Sequence, residues 1–135
     1  MNACASYLPV VGLALLGGAC APVDSGNLLV SRASFDYLGA QTRLLDDDIV
    51  QFSVKMNGAT KIADVAEYAE CVAAQYTLIR GYGFARHVRT TVSENDGHWL
   101  GDAFYIVSDA LPNGRRQIDA EVVVAACNEN EVPTV

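Results

Sequence analysis

A chain of 135 residues has room for one domain and no second core. Its balance of 51% hydrophobic and 19% charged residues is that of a globular protein, which excludes disorder as the default state. The formal net charge of −7, with no dense run of Lys and Arg, excludes a surface that binds nucleic acid by neutralising phosphates.

The first segment, "ACASYLPVVGLALLGGACA" from Ala3 to Ala21, has no charged side chain, and its apolar centre, Val10 to Leu16, has the length of a secretory h-region. It is short for a transmembrane helix, which needs about 20 apolar residues, and Pro9, Gly12, Gly17 and Gly18 interrupt it. The run closes on small residues and a cysteine, "GGAC", and resembles the lipobox of bacterial lipoproteins, whose cysteine is acylated and becomes the new N-terminus. The resemblance implies a signal peptide over residues 1–19, lipidation of Cys20, and a tether, "APVDSGN", completing residues 20–27. It departs from the family pattern at Gly17, where Leu is usual, and in having no Lys or Arg before the apolar run. Ordinary cleavage after "ACA" and a buried apolar helix are the two other readings. A lipidated chain would be anchored to the inner or outer membrane and face the periplasm.

That compartment is oxidising. With Cys4 removed and Cys20 acylated, Cys71 and Cys127 remain, and the expectation is a disulfide between them, against the alternative of two independent buried thiols.

Residues 28–135 read as a single α+β domain. In its first part "LLVSRASFDYL" has the composition of a strand, "GAQ" of a turn and "TRLL" of an arm leading to the turn "DDD". Val50, Phe52, Val54 and Met56 then alternate with Gln51, Ser53 and Lys55 as a strand with one buried face, ended by Gly58. Lys61 to Arg80 is a helix: Ile62, Val65, Ala66, Ala69, Val72, Ala73, Tyr76 and Ile79 recur at three-and-four spacing, with Thr60 as N-cap and Gly81 as stop. Cys71 falls about 120° from the centre of that stripe and is expected off the core.

From Phe84 to Glu94, strict alternation puts Phe84, Val88 and Val92 on one face and His87, Arg89, Thr91 and Ser93 on the other. "ENDG" is a hairpin turn into Trp99–Ser108, which is apolar on both faces and so reads as central. After "LPNGRR", Ile118, Ala120, Val122, Val124 and Ala126 alternate with Asp119 and Glu121 as a last strand. That parity turns Cys127 away from the helix-covered face, so the disulfide requires the strand end to bend near Ala125 to Asn128.

The order strand, helix, three-strand meander gives one main helix packed across a largely antiparallel sheet of about four strands. Together with the lipobox-like start, "YAECVAAQYTLIRGYGFARHVRT", "GDAFYIVS", "IDAEVVVAAC" and the closing "VPTV" resemble small uncharacterised envelope lipoproteins of alphaproteobacteria over Asp46 to Val135. The resemblance supports location and fold and carries over no catalytic residue.

Chemistry-bearing residues are few. Cys71 or Cys127 would need His87 or His98 at hydrogen-bond distance to act as a nucleophile. His98 with Asp96 and Asp102 lacks the convergent spacing of a metal site, "GYG" lacks the pattern of a phosphate loop, and no metal or cofactor is expected. Lys55, His87, Arg89, Asp119 and Glu121, with Thr91, are expected on the sheet face away from the helix, either as cross-strand charge pairs or as a binding face for an envelope protein or a small polar ligand. The function expected is that of a non-enzymatic envelope lipoprotein acting as a binding or structural module. The alternative is a small periplasmic enzyme using His87 or His98, which a pocket joining a histidine to carboxylates would favour.

Overall fold

The computed structural model describes residues 34–134; the expected signal peptide, the lipidated Cys20, the tether and the start of the "LLVSRASFDYL" segment lie outside them. Among the described residues the order is β1 (Asp36–Leu44), β2 (Ile49–Asn57), α1 (Ile62–Ile79), β3 (Phe84–Asn95), β4 (His98–Ser108), β5 (Gln117–Asp119) and α2 (Ala120–Glu129). The strands form one antiparallel sheet in the order β1-β2-β4-β3-β5. The α+β architecture with a main helix on an antiparallel sheet is the one expected. The sheet has five strands, however, and its last strand returns to pair with β3 and not with β4, so the final three strands are not a meander.

Alternation builds the core from β2. Val50, Phe52, Val54 and Met56 are fully buried beneath Val65, Ala69, Val72 and Ala73 of α1. Each large side chain buried in this way contributes about 1.5–3 kcal/mol. Gly101 on β4 lets the helix lie close: a Cβ there would sit 2.7 Å from Val65 Cγ1 and 3.2 Å from Val54 Cγ2. Ile62 and Ile79, at the two ends of the expected stripe, are instead 62% and 64% exposed. The N-cap is Lys61 and not Thr60, because the Asp64 carboxylate reaches back to accept from the backbone N–H groups of both. At the other end Gly81 takes the left-handed conformation, and Tyr82 N–H donates to the Thr77 carbonyl at 2.9 Å.

Three local expectations are corrected. "GAQ" is not a turn: β1 runs through it, with a register irregularity between Tyr37 and Gly39. In β3 an extra residue, Val88, falls between the pairs His87↔Tyr105 and Arg89↔Phe104. This bulge breaks simple alternation, so Ala85 and His87 before it, and Thr90 and Val92 after it, share the helix-covered side. Phe84 and Val88 therefore do not share a face with Val92.

The third correction is the largest. Ala120 to Ala126 is helical, because the Asp119 carboxylate caps the N–H groups of Glu121 at 3.1 Å and Val122 at 3.3 Å. Ala120, Val123 and Cys127 then recur at helical spacing against the core, while Val122 is 64% exposed. The strand parity that turned Cys127 outward does not exist. Placed beside α1, α2 covers the flank where Cys71 projects, so Cys71 is a core residue with 1% exposure. The Cys71–Cys127 disulfide is present, with a Cα separation of 5.9 Å.

Candidate functional site

The β3 bulge, the sharp return into β5 and the middle of α1 together leave a groove of about 500 Å³ on the helix-covered side of the sheet edge. Its polar lining comes from four elements: Glu70 on α1, His87, Arg89 and Thr90 on β3, Tyr105 on β4, and Arg116 and Gln117 entering β5. Ala66 and Ile118 supply its apolar walls.

His87 is held on three sides. Its ring stands edge-on to Tyr105 at 5.1 Å, its Nε2 lies 2.7 Å from Thr90 Oγ1, and its Nδ1 lies 3.4 Å from an Arg116 guanidinium nitrogen. A guanidinium only donates, so Nδ1 accepts, and the ring proton is assigned to Nε2, which donates to Thr90. With its oxygen accepting from the ring, the Thr90 hydroxyl keeps its own hydrogen to donate. Burial, and then the Arg116 charge, hold the His87 pKa below its ordinary value. Arg116 is set against the ring by a left-handed backbone, φ 61°, with its carbonyl accepting from His87 N–H at 3.0 Å.

The acid in the groove moves the other way. Burial, reinforced by Glu67, pushes the Glu70 carboxyl above its usual range. Burial, with Glu70 nearby, also pushes the Tyr105 phenol up. Both shifts run toward the uncharged forms, and the groove sets these groups beside the guanidinium-bearing Arg89 and Arg116. Such a lining suits a polar ligand that hydrogen-bonds at several points.

The expected binding face does not assemble as one surface. Lys55 and Arg89 do lie on the open side of the sheet, where the Arg89 guanidinium stacks 5.1 Å over Phe104. His87 is carried to the opposite side by the bulge, Asp119 is consumed in capping α2, and Glu121 sits in the first turn of that helix. Cys71 and Cys127 are joined to each other and unavailable as nucleophiles. His98, Asp96 and Asp102 are not gathered either: His98 contacts Asn57 Oδ1 at 2.7 Å, and Asp102 accepts from Ser53 and Gln51. Glu70, Thr90, Tyr105 and Arg116 were missed. For Glu70 a signal existed, since it stands four residues after Ala66 and three before Ala73, on the edge of the apolar stripe.

Among the described residues no helix is long and apolar enough to cross a membrane. No solved structure gives a significant match to the chain. A relative from Paracoccus denitrificans, "Uncharacterized 26.9 kDa protein in nqo8 5'region", is 23% identical over 104 residues, covering 73% of this chain and 41% of that protein. The chain thus spans less than half the length of that relative. Residues 37–131, from β1 through α2, match the YNQ4 C-terminal domain, so the chain belongs to the YNQ4 C-terminal domain family.

Proposed function

We propose that the chain is a lipid-anchored, non-enzymatic binding module of the bacterial cell envelope, tethered through Cys20 and facing the periplasm. The groove is its site for a small polar ligand. The observation that carries the reading is the convergence of Glu70, His87, Thr90, Tyr105 and Arg116 on one groove of about 500 Å³, within the usual size range of small-molecule sites. The disulfide supports an oxidising compartment, and "GGAC" supports acylation.

Two measurements test it. A fatty-acid probe should label the wild-type chain in a bacterial host and leave Cys20→Ser unlabelled; an unlabelled wild type removes the anchor. Amide NMR of the full chain carrying Cys20→Ser, titrated with a panel of small carboxylates, amino acids and sugars, should give saturable shifts at Thr90, Arg116 and Gln117. If no compound moves those resonances, the groove is not a ligand site.

One observation favours a second reading, an acid–base enzyme using His87. His87 and Glu70 line the same groove, and burial perturbs both pKa values, as is common for the ionisable groups of acid–base sites. Turnover abolished by His87→Gln, with ligand binding retained, would select it.

A further inference from the structure

The open side of the sheet carries charge of the opposite sign to the chain as a whole. Cross-strand register lays it out in rows. Arg43, Gln51, Phe104 and Arg89 make one row across four strands, bordered on one side by Ile49, Ile106 and Arg86. On the other side follow Ser53 with Asp102, then Lys55 with Leu100. Four cations thus surround an apolar stripe along β4 made by Leu100, Phe104 and Ile106. Leu100 is 41% exposed. Three strand spacings separate Arg43 from Arg89, about 14 Å. The acid within this area, Asp102, has its carboxylate turned to Ser53 and Gln51, both of which donate to it.

Asp36, opposite Asn57, borders this face beyond Lys55, while many of the other acids lie elsewhere: Asp64, Glu67 and Glu70 on α1, Glu121 and Glu129 on α2, and the run Asp46 to Asp48 between β1 and β2. A negatively charged plane therefore orients the domain, attracting the sheet face and repelling the helices. Cations ringing an exposed Leu100 and the half-buried Phe104 and Ile106 are also an arrangement that suits a membrane interface, where charges meet phosphates and apolar tips enter the acyl boundary.

We propose that the open sheet face, through Arg43, Lys55, Arg86 and Arg89 around Leu100, Phe104 and Ile106, seats the domain on an anionic lipid surface. The contact is independent of acylation at Cys20, and Arg89 is the residue it shares with the wall of the groove.

The test is co-sedimentation of the full chain carrying Cys20→Ser with vesicles of phosphatidylcholine alone or mixed with phosphatidylglycerol. Binding should require phosphatidylglycerol and weaken with salt. Each cation near such a surface changes affinity roughly fivefold, so Arg43→Gln with Lys55→Gln and Arg89→Gln should reduce binding about a hundredfold at an unchanged melting temperature. These three side chains are exposed, and their loss spares the core. A tryptophan placed by Phe104→Trp, with Trp99→Phe, should shift to the blue on anionic vesicles. Equal binding by the triple variant and its parent assigns the attachment to another part of the chain and overturns the proposal. So does a wild-type face that ignores phosphatidylglycerol but forms cross-linked dimers lost in the triple variant, which would assign it to the acidic helices of a second copy.

Discussion

Breaking the Cys71–Cys127 bond should cost this domain a large part of its stability. The bond joins residues 56 positions apart, and closing a loop of that length removes unfolded-state entropy worth about 4 kcal/mol at 25 °C. Against a total of about 5–15 kcal/mol for a domain of this size, that is about a quarter or more. The two partners add a packing contribution, being 1% and 4% exposed, so replacing both by Ala removes sulfur from the core as well as the cross-link. Wild-type protein in a phosphine reductant keeps the sulfur atoms and loses only the link. Urea unfolding at pH 7 of oxidised, reduced and Cys71→Ala/Cys127→Ala protein separates the two contributions. The reduced form should lose about 4 kcal/mol, with a fall in Tm on the order of 20 °C, and the double variant somewhat more. Hydrogen exchange should show where the loss begins: α2 is tied to α1 by this bond and otherwise turns Ala120 and Val123 toward the core, so its amides should open before those of β2 and β4. A difference under 1 kcal/mol between oxidised and reduced protein would refute the reasoning, as would free thiols at both positions in protein isolated from an oxidising compartment.

Gly101→Ala should destabilise by about 1–3 kcal/mol, since the new methyl would lie 2.7 Å from Val65 Cγ1 and neither chain can move aside freely. Adding Val65→Ala should recover part of the loss in thermal melts, and an unchanged Tm for Gly101→Ala alone would sink the close-approach argument. The His87 imidazole, followed by proton–carbon NMR, should titrate below 6.5; Arg116→Gln should bring its midpoint nearer to that value without reaching it, because burial is the larger cause. A depressed folded-state pKa means that this histidine's contribution to stability is present above pH 6.5 and is lost as pH falls through the folded value. A His87 midpoint at or above 6.5 would contradict the assigned burial and Arg116 contact.

Where the apolar period was unambiguous, the elements could be read directly. β2 alternates over eight residues without a break, α1 holds its spacing from Val65 to Tyr76, and "NDG" places Asp96 and Gly97 at the two positive-φ positions of a tight hairpin. The failures have two physical origins. "IDAEVVVAA" satisfies an alternating pattern and a helical one at once, and three consecutive valines weigh toward a strand by intrinsic preference. The deciding feature was Asp119, whose carboxylate can satisfy the first free N–H groups of a helix but has no such role inside a strand. The other failure is Val88. A bulge is set by pairing with β4, which no local window contains, and the predicted binding face inherited its parity error at His87. The groove was illegible for a related reason: Glu70, His87, Tyr105 and Arg116 come from four elements, and only the α1 and β3–β5 geometry brings them together.

Val88 also bears on how chain length can vary in this fold. Because the pairs on either side of it keep their faces, β3 contains one residue that the ladder does not use. Deleting it would leave His87 opposite Tyr105 and Arg89 opposite Phe104, with the two surfaces unchanged in content. Deleting a neighbouring paired residue would shift the rest of the strand by one and exchange what the groove and the open face present. Relatives that differ by a single residue in this strand can thus be aligned in register only if the gap is placed at the bulge.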